Sequence, residues 1–163
     1  MRSLRYIFLF ILGISIFACN NAEVHSEYAS FDKGWAKSDV QKFKFEAPDT
    51  SNTYNVFLNT RLNQEYLFSN LFLITKMNFP NGKIVSDTLA YEMAYPNGEL
   101  MGQGFGSVKE SKLWYKNGVK FDESGEYTLE VQQAMRKFGE VQALDTLSGI
   151  LDFGFSIEVR KNN

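Results

Sequence analysis

The 163-residue chain carries 17 lysines and arginines against 19 acids, a formal net charge of −2, with one histidine and one cysteine. No basic block or aromatic stripe rich in Lys and Arg stands out, which argues against nucleic acid as a partner and against an electrostatic grip on anionic lipid. A single cysteine leaves no disulfide, no CxxC redox pair and no thiolate metal cluster.

Met1-Arg2-Ser3-Leu4-Arg5 is a short basic stretch, and the run from Tyr6 to Phe17 is uncharged and mostly apolar. This is the layout of a signal peptide, shorter than the roughly 20 residues that a spanning helix needs. It ends on Ile16-Phe17-Ala18-Cys19, with a small residue before the cysteine. A lipoprotein peptidase needs little bulk there, and the thiol is the nucleophile that receives diacylglycerol. Residues 1–18 therefore read as a cleaved lipoprotein signal peptide, with Cys19 as the lipidation site and a membrane as the first partner. Several acyl chains anchor stably where a single one, at about 0.8 kcal/mol per buried methylene, holds only marginally. Cleavage removes Arg2 and Arg5 and no acid, which moves the net charge from −2 to −4 and leaves 145 residues, enough for one domain with a core.

Residues 19–40 set Tyr28, Phe31 and Trp35 among polar neighbours and read as a lipid-anchored tether whose second half docks. The domain proper is expected over 41–163. Phe43 and Phe45 alternate with Lys42, Lys44 and Glu46, and a turn follows at 47–52. Tyr54, Val56 and Leu58, alternating with Asn55, Phe57 and Asn59, and the continuous run Leu71-Phe72-Leu73-Ile74 are expected as central strands covered on both faces. Tyr127, Leu129 and Val131, and later Leu151, Phe153, Phe155, Ile157 and Val159, alternate with polar or small residues, as in strands with one buried face. Asn-Gly at 81–82, 97–98 and 117–118 supplies the positive φ of tight hairpins. Only 131–138 has any helical periodicity. Many short strands with regular turn signals predict an all-β chain folded as a single antiparallel β-sandwich, immunoglobulin-like or jelly-roll-like. Asp122-x-x-Gly125-x-Tyr127 has the form of a tyrosine corner and leans toward the immunoglobulin-like alternative.

The chemistry-bearing residues are sparse. His25 lies in the tether, reads as solvated and lacks partners for a catalytic triad or a metal site. Asp145 and Asp152 read as solvated acids, although two carboxylates across a cleft would suffice for glycoside hydrolysis. Gly102-Gln103-Gly104-Phe105-Gly106 departs from the dinucleotide fingerprint at Ser107 and fits a bulge or a close backbone approach better. No catalytic residue, cofactor, metal or small-molecule substrate is expected. The candidate contact residues are Trp114, Tyr115, Trp35 and Arg136: planar rings stack on sugars or anchor proteins, and a guanidinium clamps carboxylates. Of these, Trp35 is expected to be buried and Trp114 partly exposed.

Trp35 with Asp39, Phe43-x-Phe45, Asp49-Thr50, Tyr54, Arg61 and Tyr66-Leu67-Phe68-Ser69-Asn70-Leu71 form an ordered set. Gly125-Glu126-Tyr127, Gln133-Ala134-Met135-Arg136 and Leu147-Ser148-Gly149-Ile150-Leu151-Asp152-Phe153-Gly154 complete it. Together, after a lipobox, they resemble the GldH family of gliding-motility lipoproteins over essentially the whole mature chain. The resemblance implies a non-enzymatic accessory lipoprotein that works with other envelope proteins of gliding and of type 9 secretion, and it transfers no functional residue except Cys19. Asn20-Asn21-Ala22-Glu23-Val24 lacks the acidic cluster of surface-exported relatives, so the periplasmic face of the outer membrane is expected. The competing reading is a glycan-binding lipoprotein that uses Trp114 and Tyr115.

Overall fold

A computed structural model describes residues 23–161, and the described residues form ten strands and no helix. These are β1 (Glu23–Ser30), β2 (Trp35–Ala36), β3 (Gln41–Glu46), β4 (Tyr54–Leu62), β5 (Asn70–Asn78), β6 (Ile84–Glu92), β7 (Lys109–Val119), β8 (Glu126–Gln133), β9 (Thr146–Leu147) and β10 (Ile150–Val159). Eight of them make two antiparallel four-stranded sheets, ordered β1-β10-β4-β7 and β3-β8-β5-β6, while β2 and β9 pair only with each other. Counted without that short pair, the long strands run 1-8-3-6 in one sheet and 2-7-4-5 in the other. That order is the double Greek key of a jelly roll. It decides between the two alternatives, and the immunoglobulin lean gives way even though its local signature is real. Tyr127 is buried and its hydroxyl donates to the Glu123 carbonyl at 3.2 Å, as a tyrosine corner requires.

The core lies between the sheets because each strand turns alternate apolar residues inward. Phe153, Phe155 and Ile157 of β10 are fully buried, and Phe155 lies 5.3 Å from the rings of both Phe43 and Phe45 of β3. Phe45 stacks on Tyr127 at 5.5 Å, and Phe121 meets Tyr127 edge-on at 5.2 Å. Each such ring contributes roughly 1.5–3 kcal/mol through burial. Offset and edge-on geometry adds to that.

Four expectations need correction. The tether largely dissolves into the domain: residues from Glu23 onward form β1, which pairs with β10 from Glu158 to Asp152. Without β1 that side of β10, a strand apolar enough to need neighbours on both edges, would leave its backbone groups unpaired. Leu71–Ile74 is not covered on both faces, since Leu71 and Leu73 are buried but Phe72 and Ile74 are 37% and 38% exposed. Residues 131–138 finish β8 and enter a loop, because ladder pairing of Val131 with Gln41 and Thr75 outweighs the weak helical period. Asn81-Gly82 and Asn97-Gly98 do make tight turns, with Gly82 N donating to Phe79 O at 3.0 Å and Gly98 N to Tyr95 O at 2.8 Å. Asn117-Gly118 instead lies inside β7, opposite register shifts in β4, where Gly118 N donates to the Asn55 side chain. Its positive φ makes a bulge rather than a hairpin.

Candidate functional site

The strand register sorts the connections to two ends of the sandwich. At one end lie the amino end of β1, paired with the carboxyl end of β10, and the loops 47–53, 79–83 and 120–125. At the other lie the four connections 31–40, 63–69, 93–108 and 134–149, since Ser30 pairs with Asp152, Leu62 with Lys109 and with Ile150, and Asn70 with Glu92. The longer loops thus gather opposite the end at which the chain enters.

Cys19 lies outside the described residues. The four contact candidates are not brought together. Trp35 is fully buried among these loops, stacked on Phe31 at 5.3 Å and tilted on Phe153 at 4.8 Å, and its indole N–H donates to the Asp39 carbonyl at 2.7 Å. It is a staple and not a contact surface. Trp114 stands 57% exposed on the outer face of β7, tilted against Phe57 at 4.4 Å. Its neighbour Tyr115 points inward and is 9% exposed, so the pair forms no flat aromatic platform. Arg136 is exposed, in an isolated bridge with Ala143.

Tyr115 has a different role. Its hydroxyl crosses from one sheet to the other, 3.1 Å from the fully buried Thr75 Oγ1 and 3.0 Å from Asp87 Oδ2. Lys116 Nζ pairs with the same Asp87 carboxylate at 2.9 Å, and Tyr91 Oη donates to the Trp114 carbonyl at 2.8 Å. The hydrogen bonds from Lys116 and Tyr115 hold the Asp87 carboxyl below the ordinary carboxylate range. Burial pushes the Tyr91 and Tyr115 hydroxyls up to about 12. These groups close one side of the sandwich as a polar clasp.

His25 departs from the solvated expectation. On the inner side of β1 its ring packs 5.7 Å from Phe45 and 5.2 Å from Phe155, while Nε2 is shielded and has no hydrogen-bond partner among the described residues. Asp152 is likewise engaged: it pairs with Arg61 at 2.9 Å and accepts from Ser30 Oγ at 2.5 Å. Among the described residues no group of three His, Asp or Glu side chains gathers as a metal site.

The loop-rich end carries what the sequence reading missed. Leu67, Tyr95, Phe105, Phe138 and Val141 all sit on loops there and are 85%, 51%, 103%, 107% and 87% exposed. An open cleft of about 1100 Å³ lies between the 63–69 and 93–108 loops, lined by Leu67, Tyr95, Leu100 and Met101 and flanked by Glu92 and Lys109. A signal was present in the chain, because Phe105 stands between Gly104 and Gly106, and Phe138 beside Gly139, where no strand could bury them. The glycine run folds back onto β7: Gln103 and Glu110 exchange backbone hydrogen bonds at 2.8 and 2.7 Å. Gly102 (φ 118°) and Gly104 (φ 138°) adopt conformations that other residues resist, and a side chain at either would strike the backbone carbonyl of Glu110 or Val108.

The GldH lipoprotein family model matches residues 23–157, from the first residue of β1 into β10. A gliding motility lipoprotein GldH homolog from Christiangramia forsetii is 50% identical over 163 residues, 99% of this chain and 100% of that relative. The gliding motility lipoprotein GldH of Flavobacterium johnsoniae is 43% identical over 150 residues, 92% of this chain and 93% of that one. Among solved structures, an insecticidal delta-endotoxin of Bacillus thuringiensis aligns at a TM-score of 0.38 and 16% identity over 84% of this chain and 20% of its own, too distant to carry an argument. With a match through nearly all of the jelly roll and two close relatives along almost their entire length, the chain belongs to the GldH lipoprotein family of gliding motility.

Proposed function

We propose that this lipoprotein is a non-enzymatic docking component of the gliding machinery. Acyl groups on Cys19 hold it at the periplasmic face of the outer membrane, and its loop-rich end faces a protein partner shared with type 9 secretion. The observation that carries this reading is that five fully or half-exposed apolar side chains stand on the loops at the end opposite the amino end of β1. Cys19 precedes Glu23 by four residues, about 14 Å of fully extended chain, so the entry end stays close to the bilayer and the loop tips are free to face away from it. Large apolar side chains held out on loop tips supply contact area that a protein partner can cover. Family membership supports a lipid-anchored place in the envelope.

Photo-crosslinking groups at Phe105 and Phe138 test the reading in gliding cells. Adducts with gliding or secretion proteins are expected from both positions and not from Asn52 or Asn81 at the membrane-proximal end. Equal adducts from both ends, or none from the loop tips, would contradict it. Labelling of the protein by a non-permeant reagent on intact cells would overturn the periplasmic placement.

A further inference from the structure

Two four-stranded sheets have four edges, and three of them are guarded. β1 carries Glu23 and Glu27 and a register shift between Glu23 and His25; β3 carries Lys42, Lys44 and Glu46. β7 carries Lys109, Lys112 and Lys116, Gln103 pairs with its Glu110, and the Tyr91 hydroxyl caps its Trp114 carbonyl. Charges, bulges and covering segments of this kind are what keep edge strands from pairing with other chains. β6 has only two acids, Asp87 and Glu92, with no bulge in its ladder and no segment paired along its open side among the described residues. Ile84-Val85-Ser86-Asp87-Thr88-Leu89-Ala90-Tyr91-Glu92 contains no lysine, arginine or proline, and it pairs with β5 over its whole length without a register shift. Of its two acids, Asp87 is engaged in the clasp.

The hydrogen-bond parity of that edge is determined. Met93 N donates to Ser69 O, and Phe79 N donates to Lys83 O, at the two ends of the β5–β6 ladder. Antiparallel pairs alternate between bonded and non-bonded, so Val85, Asp87, Leu89 and Tyr91 bond to β5. Ile84, Ser86, Thr88, Ala90 and Glu92 then turn their N–H and C=O groups to the open side, and all five are exposed. Beside them on the same outer face stand the half-exposed Phe72 and Ile74 of β5, opposite Ala90 and Thr88.

We propose that the β6 edge is a strand-addition site that takes an extended segment of another envelope protein, a deepening that rests on the docking reading above. The segment pairs with Ser86, Thr88 and Ala90 through main-chain hydrogen bonds and lays apolar or β-branched side chains against Thr88 and Ala90, extending the outer face that, one strand further in, carries Phe72 and Ile74. It carries a lysine or arginine where it passes Glu92, because β6 has carboxylates and no cation. A second copy of the chain fits less well. An antiparallel β6 pair reverses the strand direction and sends the two amino ends to opposite ends of an assembly whose strands are about 30 Å long. A link of about 14 Å from Cys19 to Glu23 lets both copies reach one bilayer only if both sheets lie flat on it.

The test places a photo-crosslinking residue at Thr88 of the lipidated full chain in gliding cells, alone and together with Ser86→Pro or Ser86→Ala. The Ser86 N–H points away from the ladder, so proline there costs no internal bond, and thermal unfolding of Ser86→Pro checks that the fold is retained. The proposal expects an adduct with a foreign envelope protein that persists in Ser86→Ala and is lost in Ser86→Pro. An adduct that survives the proline in a folded protein, a self-adduct, or no adduct at all would each overturn it. Adducts from Phe105 and Phe138 without one from Thr88 would remove this edge as the contact and leave the docking reading standing.

Discussion

At the scale of single residues, the two tryptophans divide the chain's aromatic content between structure and surface. Trp35 is fully buried with its N–H satisfied, whereas Trp114 is 57% exposed. Trp35→Ala is expected to cost about 3–5 kcal/mol in denaturant unfolding, the range for truncating a large buried ring. Trp114→Ala should cost about 1 kcal/mol or less, as exposed positions do. Acrylamide should quench the Trp114 part of the native tryptophan emission, and Trp114→Ala should leave a resistant signal from Trp35. The orientation of Trp114 and Tyr115 was legible in the chain, because Lys112, Trp114 and Lys116 share one parity of β7, and a lysine on either side marks the wet face. His25 was not legible. Nothing local says that the segment around a lone histidine will add to the edge of β10, 122 to 135 residues further along the chain.

The clasp between β6 and β7 belongs to the scale of elements. Tyr115→Phe removes the hydroxyl that bridges Thr75 and Asp87, leaving the fully buried Thr75 Oγ1 with only a long contact to Asp87 O at 3.5 Å. A loss of about 1–2 kcal/mol is expected in equilibrium unfolding. Asp87→Asn should cost about 1 kcal/mol at neutral pH, and its effect is pH-dependent with a definite sign. The hydrogen bond from Lys116, and then that from Tyr115, lowers the Asp87 carboxyl. The folded state therefore holds fewer protons there than the unfolded state between the lowered value and the ordinary one of about 3.9. The stabilisation is complete above that ordinary value and is lost as pH falls through the lowered one, so wild type and Asp87→Asn should converge in strong acid and diverge above about pH 5. Parallel stability curves across that range would contradict the clasp. Strand alternation along β3, β4, β8 and β10 could be read from the chain, yet the clasp could not, because Thr75, Asp87 and Tyr115 lie on three strands and meet only through the packing of the two sheets. The outer residues of β5 misled for a related reason: a continuous apolar run fits a strand covered on both faces, whereas a two-sheet sandwich covers this one on its inner face and leaves Phe72 and Ile74 open on the outer.

For the molecule as a whole, the class of fold was written in the alternation and the turns, while its topology was not. A tyrosine corner is a local device and sits as well in this jelly roll as in an immunoglobulin sandwich. Which sheet each strand joins is decided by loops that cross between sheets, and those loops carry no periodic signal. The same global packing sets the response to alkali. Burial raises the Tyr91 and Tyr115 hydroxyls to about 12, and those of Tyr66 and Tyr127 also lie above the ordinary value. Between about pH 10 and 12 the unfolded chain sheds these protons before the folded one, so stability should be complete below pH 10 and fall as pH rises through that window. Tyrosinate absorbance and circular dichroism should then change together; tyrosines that ionise fully while the fold persists would contradict their burial.

The exposed loop tips and the amino end of β1 at the opposite end are features that only the assembled sandwich brings into relation. The most direct test of their joint meaning is complementation of a gliding bacterium that lacks its own family member, using the full chain with Phe105→Ser and Phe138→Ser together. Both side chains are fully solvent-exposed, so the variant should fold, unfold at the wild-type temperature and fractionate with the membrane. Cells carrying it are expected to fail to spread while cells carrying the unaltered chain glide; normal spreading by a folded, membrane-associated variant would show that the loop tips hold no partner.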